Sequence, residues 1–205
     1  MAQLELVHPA PLDLAAEPRA DHNVIAQLVS EGARVLDVGC GDGALIGLLT
    51  RACSARVRGL EIDPIKVHGC VARGLSVVQG DAERDLEAFP SGAFDYVIFS
   101  QALMKLQRPQ QALKIAARVG ERVIVSINNA GHWRARTRHM FKGRLAHWAD
   151  DAPCTVRDFA DMARGLRLTV ERAVPLSGGH AGAPFAKTLW RANLFSEQAV
   201  FVLGP

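Results

Sequence analysis

Three glycines stand at alternate positions in the segment VLDVGCGDGALIGLL, between an apolar stretch and a stretch with helical periodicity. Gly39, Gly41 and Gly43 allow the backbone to turn tightly and to approach a ligand closely, and the following helix offers N–H groups without intrahelical partners. The spacing GxGxG differs from the GxGxxG of dinucleotide-binding turns. A dinucleotide site stays open as an interpretation, because Ala44 stands where that pattern tolerates alanine.

Acidic residues accompany this turn at the ends of three successive predicted strands. Asp37 comes just before the turn, Glu61 ends the next strand, and Asp81 follows the third. Because the carboxyl ends of parallel strands meet at one edge of a sheet, we expect the three carboxylates to face one crevice. Asp37 could accept hydrogen bonds from N–H groups of the turn or from a ligand amine. Such a set repels a phosphate and favours a cationic ligand that carries a ribose.

These strings resemble the class I methyltransferases that use S-adenosylmethionine. LDVGCGDG, GLEID and QGDAE match the first three motifs of that family in order and spacing. The resemblance implies that the glycines line the methionine moiety, with Asp37 close to its amino group. It also implies that Glu61 holds the ribose hydroxyls, with Ile62 beside the adenine.

The same resemblance assigns the adenine end of the site. Asp81 is expected to contact the adenine amino group, with Ala82 next to it, and Ser100 is expected to close the pocket. The full set expected to bind S-adenosylmethionine or S-adenosylhomocysteine is Asp37, Gly39, Cys40, Gly41, Gly43, Glu61, Ile62, Asp81, Ala82 and Ser100.

Longer strings narrow the resemblance to one family. INNAGHWRARTRHMFKGRL, CTVRDF and NLFSEQAVFVL are together similar to the methionine biosynthesis protein MetW family, from about residue 21 onward. That resemblance implies a bacterial, cytoplasmic protein that partners the homoserine O-acyltransferase MetX. MetW-like chains usually carry a longer stretch before CTxRDF, whereas here only residues 145–153 intervene. We expect the segment 129–153 to act as a lid over the pocket or to dock a partner.

The sequence identifies no catalytic residue. Three histidines, His132, His139 and His147, are candidate general bases. The alternative interpretation is that they cap or pack a surface helix. The (N/D)PP(Y/F) string typical of methyl transfer to amide or adenine nitrogen is missing from FSQALMK, after the fourth strand. HExxH and other metal-ligand spacings are missing as well, so we predict no metal site.

Short apolar strands alternate with helical segments along most of the chain, a pattern that favours a parallel sheet covered by helices. We predict an α/β fold of the Rossmann-like class I methyltransferase type. Its sheet should be mostly parallel and seven-stranded, with helices on both faces and an antiparallel last strand. The predicted strands are residues 33–39, 56–61, 75–79, 94–99, 122–127, 166–174 and 199–203.

Capping residues set several predicted boundaries. Asp21 is expected to cap the first helix, and Thr155 with Asp158 is close to a capping box for a later one. Residues 177–184, SGGHAGAP, are predicted to form a loop. We expect residues 1–20 to be an N-terminal tail and residues 21–205 to form a single domain.

A basic stretch follows the fifth predicted strand. Residues 122–149 contain no Asp or Glu, and Arg134 and Arg138 are spaced to share a helix face. One interpretation is a docking surface for an acidic partner, and the other is a solvated face. Nucleic acid is the disfavoured partner, because the net charge of the chain is only +3.

Composition limits the remaining classes. The 205 residues include 49% hydrophobic residues, which is typical of a globular domain rather than a disordered chain. The four cysteines form no CxxC pair, so neither a disulfide framework nor a zinc knuckle is predicted. No apolar run is long enough to span a bilayer, and the first residues do not resemble a signal peptide. We therefore expect a cytoplasmic protein without membrane contacts.

Two functions follow from these features. The first is a MetW-like protein that binds S-adenosylmethionine and acts with a homoserine O-acyltransferase in methionine biosynthesis. The alternative is an active methyltransferase on a small hydroxylated or carboxylated acceptor.

Overall fold

A computed structural model describes residues 19–142, 152–184 and 189–205. Within them a single sheet of eight strands runs in the order β3-β2-β1-β4-β5-β8-β6-β7. The strands are β1 (Arg34–Val38), β2 (Arg56–Glu61), β3 (Val77–Gln79), β4 (Phe94–Ser100), β5 (Gly120–Asn128), β6 (Thr169–Ser177), β7 (His180–Ala181) and β8 (Gln198–Gly204). The first five pair in parallel, and β8 runs antiparallel to both β5 and β6. The predicted fold class is confirmed.

Helices connect most of these strands. They are α1 (Ala20–Leu28), α2 (Ala44–Cys53), α3 (Pro64–Ala72), α4 (Ala82–Asp85), α5 (Pro109–Val119), α6 (Trp133–Lys142), α7 (Val156–Gly165) and α8 (Leu189–Phe195). Short 3₁₀ turns at Leu86–Ala88 and Leu103–Lys105 follow α4 and β4. Among the described residues, no helix combines the length and the apolar character that crossing a membrane requires.

The core lies on both faces of the sheet, because alternate residues of each strand point to opposite sides. In β1, Leu36 packs with α5 and α7 on one face, whereas its neighbour Val35 packs with α1 and α2 on the other. Both side chains are fully buried. The central strands therefore read as nearly continuous apolar runs, as expected for a sheet covered on both sides.

The sheet has eight strands rather than the predicted seven, because part of the predicted loop 177–184 forms a strand. Ser177 pairs with His180 across a two-residue turn. The central residues of that turn, Gly178 and Gly179, both have positive φ, +56° and +79°. Turns of this kind match the twist of paired strands and strongly favour glycine, so the dipeptide Gly-Gly explains the short hairpin.

Several predicted strand boundaries differ from the structure by one to three residues, and the start of the sixth strand differs most clearly. The sixth strand begins at Thr169 rather than at residue 166, because Leu166 closes α7 by donating its backbone N–H to the helix. Arg167 then takes a left-handed conformation with φ +62°. At the other end of α7 the predicted cap is confirmed, since Thr155 and Asp158 form a complete capping box.

The N-terminal helix does not use the predicted cap. α1 begins at Ala20, and Asp21 lies inside its first turn with its side chain fully buried. Of the expected tail, residues 1–18 lie outside the described residues, as do residues 143–151 of the expected lid or docking segment.

Candidate functional site

A cavity of about 440 Å³ opens at the carboxyl ends of β1, β2 and β4. Parallel sheets of this kind bind ligands at such an edge, where the strand order reverses. Seven residues that the sequence assigned to cofactor binding line the cavity. They are Gly39, Gly41, Glu61, Ile62, Asp81, Ala82 and Ser100.

The glycine turn forms one wall of the cavity. Its backbone conformation is energetically unfavourable for residues other than glycine. Gly39 and Gly41 have φ of +73° and +57°. The N–H of Gly39 donates to the carbonyl of Leu60 at 2.7 Å, which fixes the turn to the end of β2. A Cβ atom on Gly39 would lie 2.8 Å from the Cβ of Ala102, whereas one on Gly41 would project into open space.

The side chain of Glu61, at the end of β2, stabilises the glycine turn. Its two carboxylate oxygens accept from the N–H groups of Gly41 and Asp63, at 2.8 and 3.0 Å. The side chain is buried yet lines the cavity. Because each carboxylate oxygen can accept more than one hydrogen bond, Glu61 can hold the turn and receive ligand hydroxyls together.

Asp81 lies across the cavity at the start of α4. Its side chain accepts from the N–H of Glu83 at 2.9 Å and so caps that helix. Its other oxygen lies 3.7 Å from the guanidinium of Arg84. Ala82 and the exposed Ile62 complete this side with apolar surface that suits a flat ring.

Asp37 is buried directly behind the cavity wall. Its side chain is 1% exposed, and neither carboxylate oxygen has a hydrogen-bond partner among the described residues. Burial raises the pKa of Asp37 to about 7, with a smaller opposing effect from the positive charge of Arg19. The sequence left two roles open for Asp37, accepting from N–H groups of the turn or from a ligand amine. In the structure the N–H of Gly41 donates to Glu61 instead.

We expect Asp37→Asn to change how stability depends on pH. The folded protein keeps a proton on Asp37 up to about pH 7, whereas the unfolded chain releases it near pH ~4. In that window the folded state binds more protons, so stability falls as pH rises, by roughly 1.4 kcal/mol per unit. Asparagine has no such proton to lose. The free energy of unfolding of the variant, relative to that of the wild type, should therefore be higher at pH 8 than at pH 5.

Urea unfolding of both proteins at the two pH values measures this difference. Glu121→Gln is the matched control, because Glu121 is an exposed residue of β5. If raising the pH changes the stability relative to the wild type equally in both variants, Asp37 is not a buried, protonated group.

Like Asp37, the predicted binding residues Gly43 and Cys40 do not line the cavity. A Cβ atom on Gly43 would meet Leu75 and Cys70, so this glycine allows α2 to pack against its neighbours. The thiol of Cys40 lies against Gly59 in the core, and burial raises its pKa. Both residues shape the turn from behind.

The structure adds basic groups that sequence reasoning missed. Arg19, Lys66 and Lys105 line the same cavity as Glu61 and Asp81. They come from the start of α1, from α3 and from the turn after β4, so no single motif joins them. The cavity is therefore not uniformly acidic, and its mixed charge suits a ligand with both cationic and anionic groups.

Asp21 connects α1 to the floor of this cavity. One of its oxygens accepts from the hydroxyls of Ser100 and Ser126, at 2.9 and 2.7 Å. Arg19 forms an ion pair with Asp21 at 3.2 Å and also donates to Ser100. The hydroxyl of Ser126 in turn accepts from the N–H of Gln101, a lining residue with φ +52°. The carboxylate that the sequence suggested as a helix cap thus positions the cavity floor.

Of the three candidate bases, His132 has a described side chain, and it does not line the cavity. Among the described residues that line it, none is a histidine, cysteine or tyrosine. His132 accepts from the N–H of Arg134 at 3.3 Å, and burial lowers its pKa. The side chain of His139 and the whole of His147 lie outside the described residues. The described residues also hold no group of three acidic, histidine or cysteine side chains placed for a metal ion.

Comparison with known proteins places the chain among methyltransferase-like sequences. A family model described as methionine biosynthesis protein MetW matches residues 19–203. The "Bifunctional methionine biosynthesis protein MetXA/MetW" of Rhodopirellula baltica is 29% identical over 67% of this chain and 23% of its own length. A ubiquinone biosynthesis O-methyltransferase of Xanthomonas oryzae is 36% identical over 53% of this chain and 47% of its own. The chain thus spans less than half the length of these curated relatives.

Solved structures show the same fold. A methyltransferase from Thermotoga maritima, described as a possible histamine N-methyltransferase, gives a TM-score of 0.66 at 16% identity, covering 90% of this chain and 87% of that one. A TehB-like methyltransferase from Corynebacterium glutamicum gives 0.62 at 21% identity, covering 94% and 92%. Both are described as dependent on S-adenosylmethionine.

Proposed function

This chain belongs to the methionine biosynthesis protein MetW family, and from that premise we propose that it binds S-adenosylmethionine and acts with a homoserine O-acyltransferase. The observation that carries the proposal is the cavity at the carboxyl ends of β1, β2 and β4, where the glycine turn faces Glu61 and Asp81. S-adenosylmethionine contains an adenine, a ribose, a sulfonium and an amino acid. It therefore combines a flat ring, hydroxyl groups and both signs of charge, which are the groups that the lining of this cavity suits.

The residues present fit this ligand from one end to the other. Ile62 and Ala82 would flank the adenine, while Asp81 would accept from its amino group. Glu61 would accept from the ribose hydroxyls, since its lone pairs exceed the two backbone donors that it already binds. When bound, the cofactor would supply an electrophilic methyl group on its sulfonium.

The amino-acid end of the ligand would meet the mixed charges near β1. Asp37 has two buried oxygens without described partners, and a ligand ammonium nearby would offset the cost of burying its charged form. Gly39 and Gly41 would allow the ligand to approach the backbone closely. Ser100, held by Asp21 and Arg19, would close the pocket beside the sheet.

The proposed partner rests on the bifunctional relative. Its name joins MetXA and MetW in one protein, and this chain aligns with 23% of its length. A covalent link between two modules raises their effective concentration, which is useful where the modules work together. We infer that this chain reaches a homoserine O-acyltransferase through a surface of its own.

A side-chain truncation at the cavity rim tests the cofactor. Ile62 lines the cavity and is 63% exposed, whereas Ile65 on α3 is 82% exposed and does not line it. Removing apolar contact with a flat ring should weaken binding by about three- to tenfold, given roughly 0.8 kcal/mol for each buried methylene. Calorimetric titration with S-adenosylmethionine and S-adenosylhomocysteine should show this loss for Ile62→Ala.

The variant Ile65→Ala is the matched control and should bind as the wild type does. If the wild-type protein binds neither ligand, the cofactor proposal is wrong. If both variants lose affinity equally, the ligand does not sit at this rim.

A second candidate function is methyl transfer to a small acceptor. The observation that favours it is the similarity to a ubiquinone biosynthesis O-methyltransferase over 53% of this chain. Incubation with S-adenosylmethionine and acceptors that carry hydroxyl or carboxyl groups would then release S-adenosylhomocysteine. Release only at the background rate, together with a change in acyltransferase activity when this protein is added, would favour the first function.

A further inference from the structure

A second cavity, of about 460 Å³, lies between α6, α7 and α8, away from the cavity at the strand ends. Arg157, Asp161 and Arg164 line it from α7, and Trp190, Asn193 and Leu194 line it from α8, with Arg136 entering from α6. We call this cavity the arginine groove. Residues spaced three or four apart lie on one face of a helix. One face of α7 (residues 157, 161 and 164) and one face of α8 (residues 190, 193 and 194) therefore line the groove.

The walls of the groove are fixed to one another by a buried side chain. Asn129 follows β5 and is fully buried. Its amide nitrogen donates to the carbonyls of Asn193 and Ser196, at 2.9 and 2.7 Å. Its oxygen accepts from the N–H groups of Gly131 and Val156, at 2.9 and 3.2 Å. One residue thus ties together the start of α7, the end of α8 and the approach to α6.

Further contacts hold the lining residues in place. The side-chain oxygen of Asn193 accepts from the N–H of Arg157 at 3.3 Å. Arg136 donates to the carbonyl of Gly131 at 2.6 Å. The groove is therefore framed by hydrogen bonds within the protein, so its backbone frame is already in place when another molecule enters it.

The charge of the groove is positive. Three guanidinium groups line it against one carboxylate, and that carboxylate, Asp161, lies 2.5 Å from Arg164 and 4.0 Å from Arg157. The side chains of these two arginines are 58% and 74% exposed. Guanidinium groups offer several N–H donors in a planar fork, which matches carboxylates in geometry as well as in charge.

Large apolar side chains stand beside these charges. Trp190 is 63% exposed in the groove. On α6, Trp133 and Met140 are 43% and 70% exposed, and with Arg136 they share one helix face. Tryptophan and arginine are enriched at the energetic centres of protein interfaces. An exposed group of this composition extends beyond a small-molecule cavity and suits a protein surface.

We propose that the arginine groove, with the adjoining face of α6, is the docking surface for a protein partner that presents carboxylates around an apolar side chain. Under the function proposed above, on which this inference rests, that partner is the homoserine O-acyltransferase. The partner's carboxylates would face Arg157 and Arg164, and its apolar side chain would pack against Trp190. Nucleic acid is a poorer match, because Asp161 lies among the arginines and the whole chain carries only +3.

Charge reversal in the groove tests the proposal. The full-length double variant Arg157→Glu with Arg164→Glu should bind the purified acyltransferase at least tenfold more weakly in surface plasmon resonance or calorimetry. Arg51→Glu with Arg58→Glu is the matched control, because both residues are exposed on α2 and β2, and the change in net charge is identical. A third variant, Trp190→Ala, should also weaken the complex, with Ile65→Ala as its control.

The outcomes separate this inference from the proposed function. Loss of binding only in the groove variants, each still binding S-adenosylmethionine as the wild type does, supports the docking surface. A wild-type complex that tolerates all the groove variants overturns the docking surface and leaves the partnership intact. A wild-type protein that binds S-adenosylmethionine but forms no complex with the acyltransferase overturns the partnership, and the docking surface with it.

Discussion

Replacing Gly39 by alanine should lower both the stability of the protein and its affinity for S-adenosylmethionine. The new side chain would have to adopt φ near +73°, at a cost of roughly 1–2 kcal/mol. It would also place a Cβ atom 2.8 Å from the Cβ of Ala102, which is fixed to the backbone and cannot rotate away. Such an overlap costs roughly 1–3 kcal/mol. The two effects together should approach about 2–5 kcal/mol in urea unfolding.

Two further variants separate strain from overlap. Gly41→Ala introduces the same kind of strain, at φ +57°, where a Cβ atom meets nothing within 4 Å. It should cost about 1–2 kcal/mol of stability. The double variant Gly39→Ala with Ala102→Gly removes the overlap and should recover part of the loss. If Gly39→Ala and Gly41→Ala destabilise the protein equally, the contact with Ala102 has no energetic weight.

Replacing Asp21 by alanine should have a comparable effect on stability, through the floor of the cavity. The variant leaves the hydroxyls of Ser100 and Ser126 without their buried acceptor, which they reach at 2.9 and 2.7 Å. It also removes the ion-pair partner of Arg19. Breaking a buried charge network of this kind costs about 3 kcal/mol or more. Urea unfolding at neutral pH measures the loss.

A conservative variant and a peripheral one accompany this test. Asp21→Asn keeps a side-chain oxygen for the two hydroxyls and should lose less than Asp21→Ala. Arg19→Ala should lose less again, because the side chain of Arg19 is 47% exposed and water replaces part of its interaction. An Asp21→Ala protein as stable as the wild type would show that the network contributes nothing to the fold.

Much of the sheet follows from local patterns that the sequence displays. Asp37, Glu61 and Asp81 stand within two residues of the ends of β1, β2 and β3, as the apolar runs around them indicate. The glycines at 39, 41 and 43 all adopt positive φ, which their residue type permits and most others resist. The capping box of Thr155 and Asp158 also needs only neighbouring residues. Each of these features depends on positions close together in the chain.

The short strand β7 is an element that the local sequence did not predict. Gly178-Gly179 is a hairpin signal, yet the residues around it are small and exposed, so the segment resembled a loop. The predicted strand start at Leu166 is wrong for another reason. It continues an apolar pattern typical of a strand, but its backbone N–H closes α7. In both cases a hydrogen bond to a neighbouring element decided between two conformations that the residue types allow.

The sequence by itself determined the fold class, the glycine turn and the acidic strand ends, because short-range periodicity and glycine conformation specify them. Only the tertiary structure decided which distant residues meet at the cavity. Asp21 reaches Ser100 and Ser126 across 79 and 105 positions of the chain, and Arg19 arrives with it. Asn129 likewise joins α7 and α8 through contacts with residues 27 and more than 60 positions away. Contacts over such separations depend on how the whole chain packs, and no local pattern encodes them.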